Sequence, residues 1–157
     1  MRIGLRTIAR GILHFWAAWF TLVTLTNACD ALKAMGVLPD TWRLASGNFV
    51  FVTSATAGYG TPKVVVAILF GGVILWEALA AALFWRAARR SATPGAAADE
   101  AAHTAFGVGI ALWCAFALAD ELFIVYAVSG THIGLFVAQL ASLLFLVCAP
   151  GARGDDA

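Results

Sequence analysis

Three acids lie within otherwise apolar sequence: Glu77, Asp120 and Glu121. An ionisable group in the middle of a bilayer-spanning helix costs roughly 2.5–3.5 kcal/mol on insertion scales, so residues of this kind mark where function is expected. A carboxyl group buried there can carry a proton, bind a cation, or hold neighbouring helices by hydrogen bonds. Glu77 is the deepest of the three, about 20 Å from the outer end of its apolar segment at 1.5 Å per helical residue. Glu121 and the amide Gln139 lie about 10 Å in. Asn27 and Asp30 stand near the outer end of the first apolar segment, and Asn48 lies in the segment that follows.

Helical spacing sorts these residues by face. Gly107, Ala111, Cys114, Leu118 and Glu121 recur at steps of four and three, so they share one stripe of a helix. Its small residues suit close helix–helix contact. This places Glu121 inside a bundle and leaves Asp120 nearer the solvent. The functional expectation is an outward-opening polar cavity lined by Glu121, Asp120, Gln139 and Asn27, with Glu77 at its floor. The plainer expectation is that the same groups are hydrogen-bonded and hold helices in register.

The other chemistry-bearing residues form no set. His14 and His103 fall toward one side of a bilayer at different levels, which does not provide two axial haem ligands at a common height. His132 falls on the opposite side, where it is the one histidine able to join Asp120 or Asp30 at a metal ion. Otherwise no metal site and no cofactor are expected. Cys29, Cys114 and Cys148 are odd in number with no paired spacing, so they give no disulfide framework. Cys114 reads as a small packing residue. No phosphate-binding glycine loop, metalloprotease helix or nucleophile elbow is present.

The elements that must position these residues follow from composition. The chain has 157 residues, 62% of them apolar and only 12% charged. Soluble domains are about 45–50% apolar and about 25% charged, so the solvent is lipid. A net charge of +1 leaves no basic excess for nucleic acid. A bilayer core of about 30 Å needs roughly 17–25 helical residues. Apolar stretches of that length occupy about residues 8–28, 64–85, 104–128 and 132–149. Period-two alternation is absent, and open strands leave backbone groups unpaired in lipid. The expected fold is all-α: one membrane domain over 1–150, a four-helix transmembrane bundle with a partly ordered outer loop between the first two spans, and a disordered tail over 151–157.

Arg2, Arg6, Arg10, Arg86, Arg89, Arg90 and Arg153 flank one side of these spans, and Lys33, Arg43 and Lys63 the other. The excess of basic residues on cytoplasmic loops places both termini in the cytoplasm. Thr26-Asn27-Ala28-Cys29 after an apolar run has the outline of a cleaved signal peptide, but the run is as long as a full span and is read as a helix. In the outer loop, Pro39-Asp40-Thr41-Trp42 reads as a helix start capped by Asp40. Asn48 to Thr56 is apolar and rich in β-branched and aromatic residues, and Gly58 to Pro62 reads as a turn. The loop is expected to fold back over the outer end of the bundle. The alanine-rich stretch 91–98 is expected to be mobile.

These polar residues resemble a pattern found in a group of bacterial predicted small integral membrane proteins, a domain of unknown function with four helices. Asn27-Ala28-Cys29-Asp30 is similar to that family's Asn-x-x-Asp at the end of its first helix. Asn48-Phe49-Val50-Phe51-Val52 is similar to its Asn-Phe stretch in the outer loop. Trp76-Glu77-Ala78-Leu79 resembles its Trp-Glu motif, and Leu112-Trp113 with Glu121-Leu122-Phe123 resembles its third-helix motifs. The similarity spans roughly residues 20–140. Asp120 stands where the family has glycine, Leu122 where it has an aromatic, and the Trp-Gln expected near Tyr126 is missing. The resemblance implies a four-helix architecture in a bacterial inner membrane and points to Asn27, Asp30, Asn48, Glu77 and Glu121; it implies no activity.

Three functional classes remain open at the level of sequence. The first is an accessory or scaffold protein that packs against a membrane-protein partner or a second copy of itself. The second is a small transporter or ion-handling protein that uses the buried carboxylates. The third is a membrane enzyme or redox subunit, for which no catalytic residue is identified.

Overall fold

The computed structural model describes residues 4–93 and 95–148. The tail 151–157 and the flanking Arg2 and Arg153 lie outside them. Five helices follow in order: α1 (Leu5–Ala34), α2 (Asn48–Thr56), α3 (Lys63–Arg90), α4 (Ala96–Phe123) and α5 (Tyr126–Cys148), with a 3-10 turn over Ala57–Tyr59 after α2. The described residues contain no strand. α1, α3, α4 and α5 are long and apolar enough to cross a bilayer. The chain is a multi-pass membrane protein with an all-α bundle fold.

Several of the expected helix boundaries move. α1 runs unbroken through Cys29 to Ala34, beyond the apolar stretch, because Asn27 and Asp30 are buried against other elements and need no solvent. α4 begins at Ala96 and takes in part of the alanine-rich stretch expected to be mobile. Alanine is the strongest helix former, and Asp99 in the first turn complements the positive end of the helix dipole. α4 also ends early. Ile124 adopts a left-handed conformation with φ 56°, and α5 starts two residues later. The apparent break at Ser129-Gly130-Thr131 is helical, inside α5. An exposed β-branched residue in the left-handed region carries no sequence signal for a turn.

The loop between the first two spans is ordered, but not where Asp40 suggested. Residues 39–42 form a turn closed by the Trp42 N–H on the Pro39 carbonyl. The helix is α2, entered through Gly47 at φ 79°, a conformation open to glycine at little cost.

The packed core lies toward the end of the bundle where α1 begins and α3 ends. Phe20 stacks on Phe84 at 5.6 Å and on Trp113 at 5.9 Å, and Phe84 meets Phe106 edge-on at 4.9 Å. Ala80, Ala81, Ala87 and Ala88 on α3 and Ala101, Ala102 and Ala105 on α4 are buried around these rings. Small side chains let helix backbones approach where lipid offers no hydrophobic driving force. Three indole N–H groups tie helix pairs: Trp85 to the Thr21 hydroxyl, Trp76 to the Val108 carbonyl, and Trp16 to the Ser142 hydroxyl.

α1 ends at Ala34, about two turns beyond Asn27, whereas α3 begins at Lys63, about four turns before Glu77. α1 is therefore too short to cover the N-terminal part of α3. α2 takes its place there, with Phe49 packed edge-on against Phe70 at 5.7 Å.

Candidate functional site

The site is built on α1. Asn27 and Asp30 are one turn apart, so both side chains leave the same face. The Asn27 amide donates to both carboxyl oxygens of Glu77 on α3, at 2.8 and 2.9 Å. Its carbonyl oxygen accepts from the Asn48 amide at 2.9 Å, at the first residue of α2. Glu77 and Asn27 are each 2% exposed. One turn outward, Asp30 accepts from the Phe49 backbone N–H at 2.7 Å and from the Ser46 hydroxyl at 3.2 Å. The Phe49 N–H is one of the orphan donors at the start of α2. Asp30 thus caps α2 from a different helix, with its carboxylate at the favourable end of the dipole. The far end of the segment is also tied: the Tyr59 hydroxyl donates to the Leu122 carbonyl at 2.5 Å, and its ring packs on Phe123. Asn27 and Asp30 together join α1, α2 and α3.

A second polar group joins α4 to α5. Asp120 is buried, and His132 Nδ1 lies 2.7 Å from its Oδ2. The His132 ring stacks on Phe116 and Trp113, at 4.9 and 6.4 Å. This is the His132–Asp120 pairing expected at an outer site, but no group of three or more His, Cys, Asp or Glu residues gathers there among the described residues.

Gln139 forms a third position. It is the one buried residue that α5 contributes among the described residues, and it is fully enclosed. Because α5 begins at Tyr126, Gln139 lies about 20 Å from that end, twice the expected depth. Its amide sits in the hollow left by Gly109, where an added Cβ would stand 2.5 Å from Oε1 and 2.7 Å from Nε2. Neither end of the amide has a hydrogen-bond partner among the described residues, and nor does the buried Trp113 Nε1.

The expected single cavity is not formed. Asn27, Asn48 and Glu77 meet, with Asp30 adjacent through α2, while Asp120 and Gln139 stand apart on the α4–α5 seam. The two adjacent acids are exchanged. Asp120 is inside and Glu121 is exposed, with a long 3.5 Å contact from the Tyr126 hydroxyl. The whole stripe of Gly107, Ala111, Cys114, Leu118 and Glu121 faces outward. The buried stripe is Ala105, Phe106, Gly109, Leu112, Trp113 and Asp120. Both faces are apolar, and lipid is as apolar as leucine, so hydrophobicity does not choose between them. Contact shape does, through the aromatic cluster and the Gly109 hollow. Ser46 and Gly109 are not among the expected site residues; a lone glycine in an apolar helix does not show which neighbour fills the space beside it.

The outward stripe borders a groove. Leu75, Trp76 and Leu79 on α3 and Gly107, Val108 and Ala111 on α4 line an open apolar hollow of about 500 Å³ on the side of the bundle. No protein-family model, curated protein or solved structure matches the chain.

Proposed function

We propose that the chain is an accessory or scaffold protein of a bacterial cytoplasmic membrane, packing through its apolar helix faces against a membrane-protein partner or a second copy. The observation that carries this reading is that the polar groups of the Asn27–Glu77 site are spent on one another. Asn27 uses its amide on Glu77 and its carbonyl on Asn48, and Asp30 is spent on capping α2. Such an arrangement fixes helices and leaves no carboxylate poised toward an open path. Three of the four short matches to the small integral membrane protein family contribute residues to this one site, which supports keeping that resemblance as part of the proposal. Arg6, Arg10, Arg86, Arg89 and Arg90 share one end of the bundle, which supports cytoplasmic termini.

The small-residue groove beside Gly107 and Ala111 is the face offered to the partner. Affinity purification of the tagged chain from its own membranes tests this. A membrane protein retained in fixed proportion by the wild type and by Glu77→Gln, but lost by Gly107→Leu/Ala111→Leu with the fold intact, is the expected result. Equal recovery by the wild type and both variants contradicts it.

A second reading has its own observation. Asp120, His132, Trp113 and Gln139 line the α4–α5 seam, with unpartnered polar atoms at Trp113 and Gln139. Ion or proton handling would run along that seam. Loss of a cation- or pH-dependent phenotype in Asp120→Asn and Gln139→Leu, with membrane levels unchanged, favours this reading over the scaffold.

A further inference from the structure

At the opposite end of the bundle from the Asn27–Glu77 site, a cavity of about 50 Å³ opens between α1, α4, α5 and the residue after α3. Its rim carries Arg6 and Arg10 from α1, Asp99 and His103 from α4, and Ser91. Leu13, Leu143 and Leu146 form an apolar wall. Arg6 and Arg10 are one turn apart, so their guanidinium groups serve one place. The Arg6 guanidinium donates to the Ala92 carbonyl at 3.3 Å, one residue beyond Ser91 of the lining. Asp99 lines the same cavity without an ion pair to either arginine; among the described residues the one ion pair is His132–Asp120, at the other end.

Two guanidinium groups over a small cavity, backed by leucines, match a phosphate anion joined to an apolar body. Arginine recognises phosphate through paired N–H groups. Basic pockets between helix ends at a membrane surface bind acidic lipid headgroups. We propose that this cavity binds the phosphate of an acidic phospholipid, with the acyl chains lying along α1 and α5 beside Leu143 and Leu146. The assignment of the cytoplasmic leaflet as the source of that lipid rests on the orientation given above; the binding chemistry does not.

The test uses the full chain purified in detergent, without any partner, so its outcome is independent of the scaffold reading. Retention of phosphatidylglycerol and of phosphatidylcholine is measured by native mass spectrometry. Retention of phosphatidylglycerol over phosphatidylcholine is expected, with a loss of about tenfold or more in Arg6→Gln/Arg10→Gln. Ala98→Leu, which fills the cavity at constant charge, is expected to lose it as well. Arg86→Gln/Arg89→Gln removes the same charge outside the cavity and is expected to retain it. Resistance to displacement by millimolar inorganic phosphate is expected; full displacement assigns the site to free phosphate and overturns the lipid as its occupant. Equal retention of the two lipids, or equal loss in the Arg86/Arg89 variant, overturns the proposal.

Discussion

The Asn27 side chain bridges Glu77 and Asn48: its amide nitrogen donates to the Glu77 carboxyl group, within reach of both oxygens, and its carbonyl oxygen accepts from the Asn48 amide. These bonds link three helices. Removing one partner of a buried hydrogen bond leaves the other unsatisfied, at about 1–3 kcal/mol. Asn27→Ala is therefore expected to lower the thermal unfolding midpoint in detergent. Asn27→Asp is expected to be worse, because it sets a second carboxyl group against Glu77. A midpoint unchanged in both variants contradicts the clamp.

Asp30 governs α2. Asp30→Ala removes the cap on Phe49 N–H, a loss of about 0.5–2 kcal/mol. The expected effect is local: faster amide exchange over residues 46–56, with α3 and α4 unchanged. Exchange that rises evenly along the chain contradicts a role confined to α2.

The neighbouring acids differ sharply in setting. Glu121→Gln is exposed and is expected to change stability by no more than about 0.5 kcal/mol. Asp120→Ala strands His132 at the α4–α5 seam and is expected to cost about 1–3 kcal/mol. The reverse order of effects, read from unfolding midpoints, would restore the outward-facing assignment of Asp120.

Gln139 and Gly109 form a knob and hollow. Gly109→Ala places a methyl group where the amide lies and is expected to loosen α5 from α4. Gln139→Leu removes an amide with no partner among the described residues and is expected to stabilise the bundle. Destabilisation by Gln139→Leu shows instead that the amide is satisfied in the membrane.

Ile124 holds a left-handed conformation that costs a β-branched residue about 1–3 kcal/mol. It is exposed, so Ile124→Gly forfeits little packing and relieves that strain. A higher unfolding midpoint is the expected outcome, and a lower one contradicts the strained turn.

The existence of the four spans was legible because bilayer thickness sets a length and lipid sets a composition, and both leave plain traces. The clamp was half legible. Asn27, Asp30, Asn48 and Glu77 could be singled out as polar groups out of place, but nothing along the chain said that α1 stops short and lets α2 carry Asn48 to Asn27. The α4 faces were illegible for a physical reason. In lipid an apolar surface is equally at home inside or outside, so the small stripe through Gly107 and Ala111 could not be told from the buried one through Gly109 and Trp113. Once that assignment is reversed, Asp120 and Glu121 exchange places with it. The α4–α5 turn was hidden because Ile124 is not a turn residue, and that shifted the depth of Gln139.

The most direct test of the structural role of Glu77 is a double-mutant cycle between Asn27→Ala and Glu77→Ala, read as unfolding free energy of the purified chain. Direct contact predicts a coupling of about 0.5–3 kcal/mol, with the double variant less destabilised than the two single variants added together. Additivity within about 0.3–0.5 kcal/mol would show that the two side chains do not act on each other and would contradict the clamp.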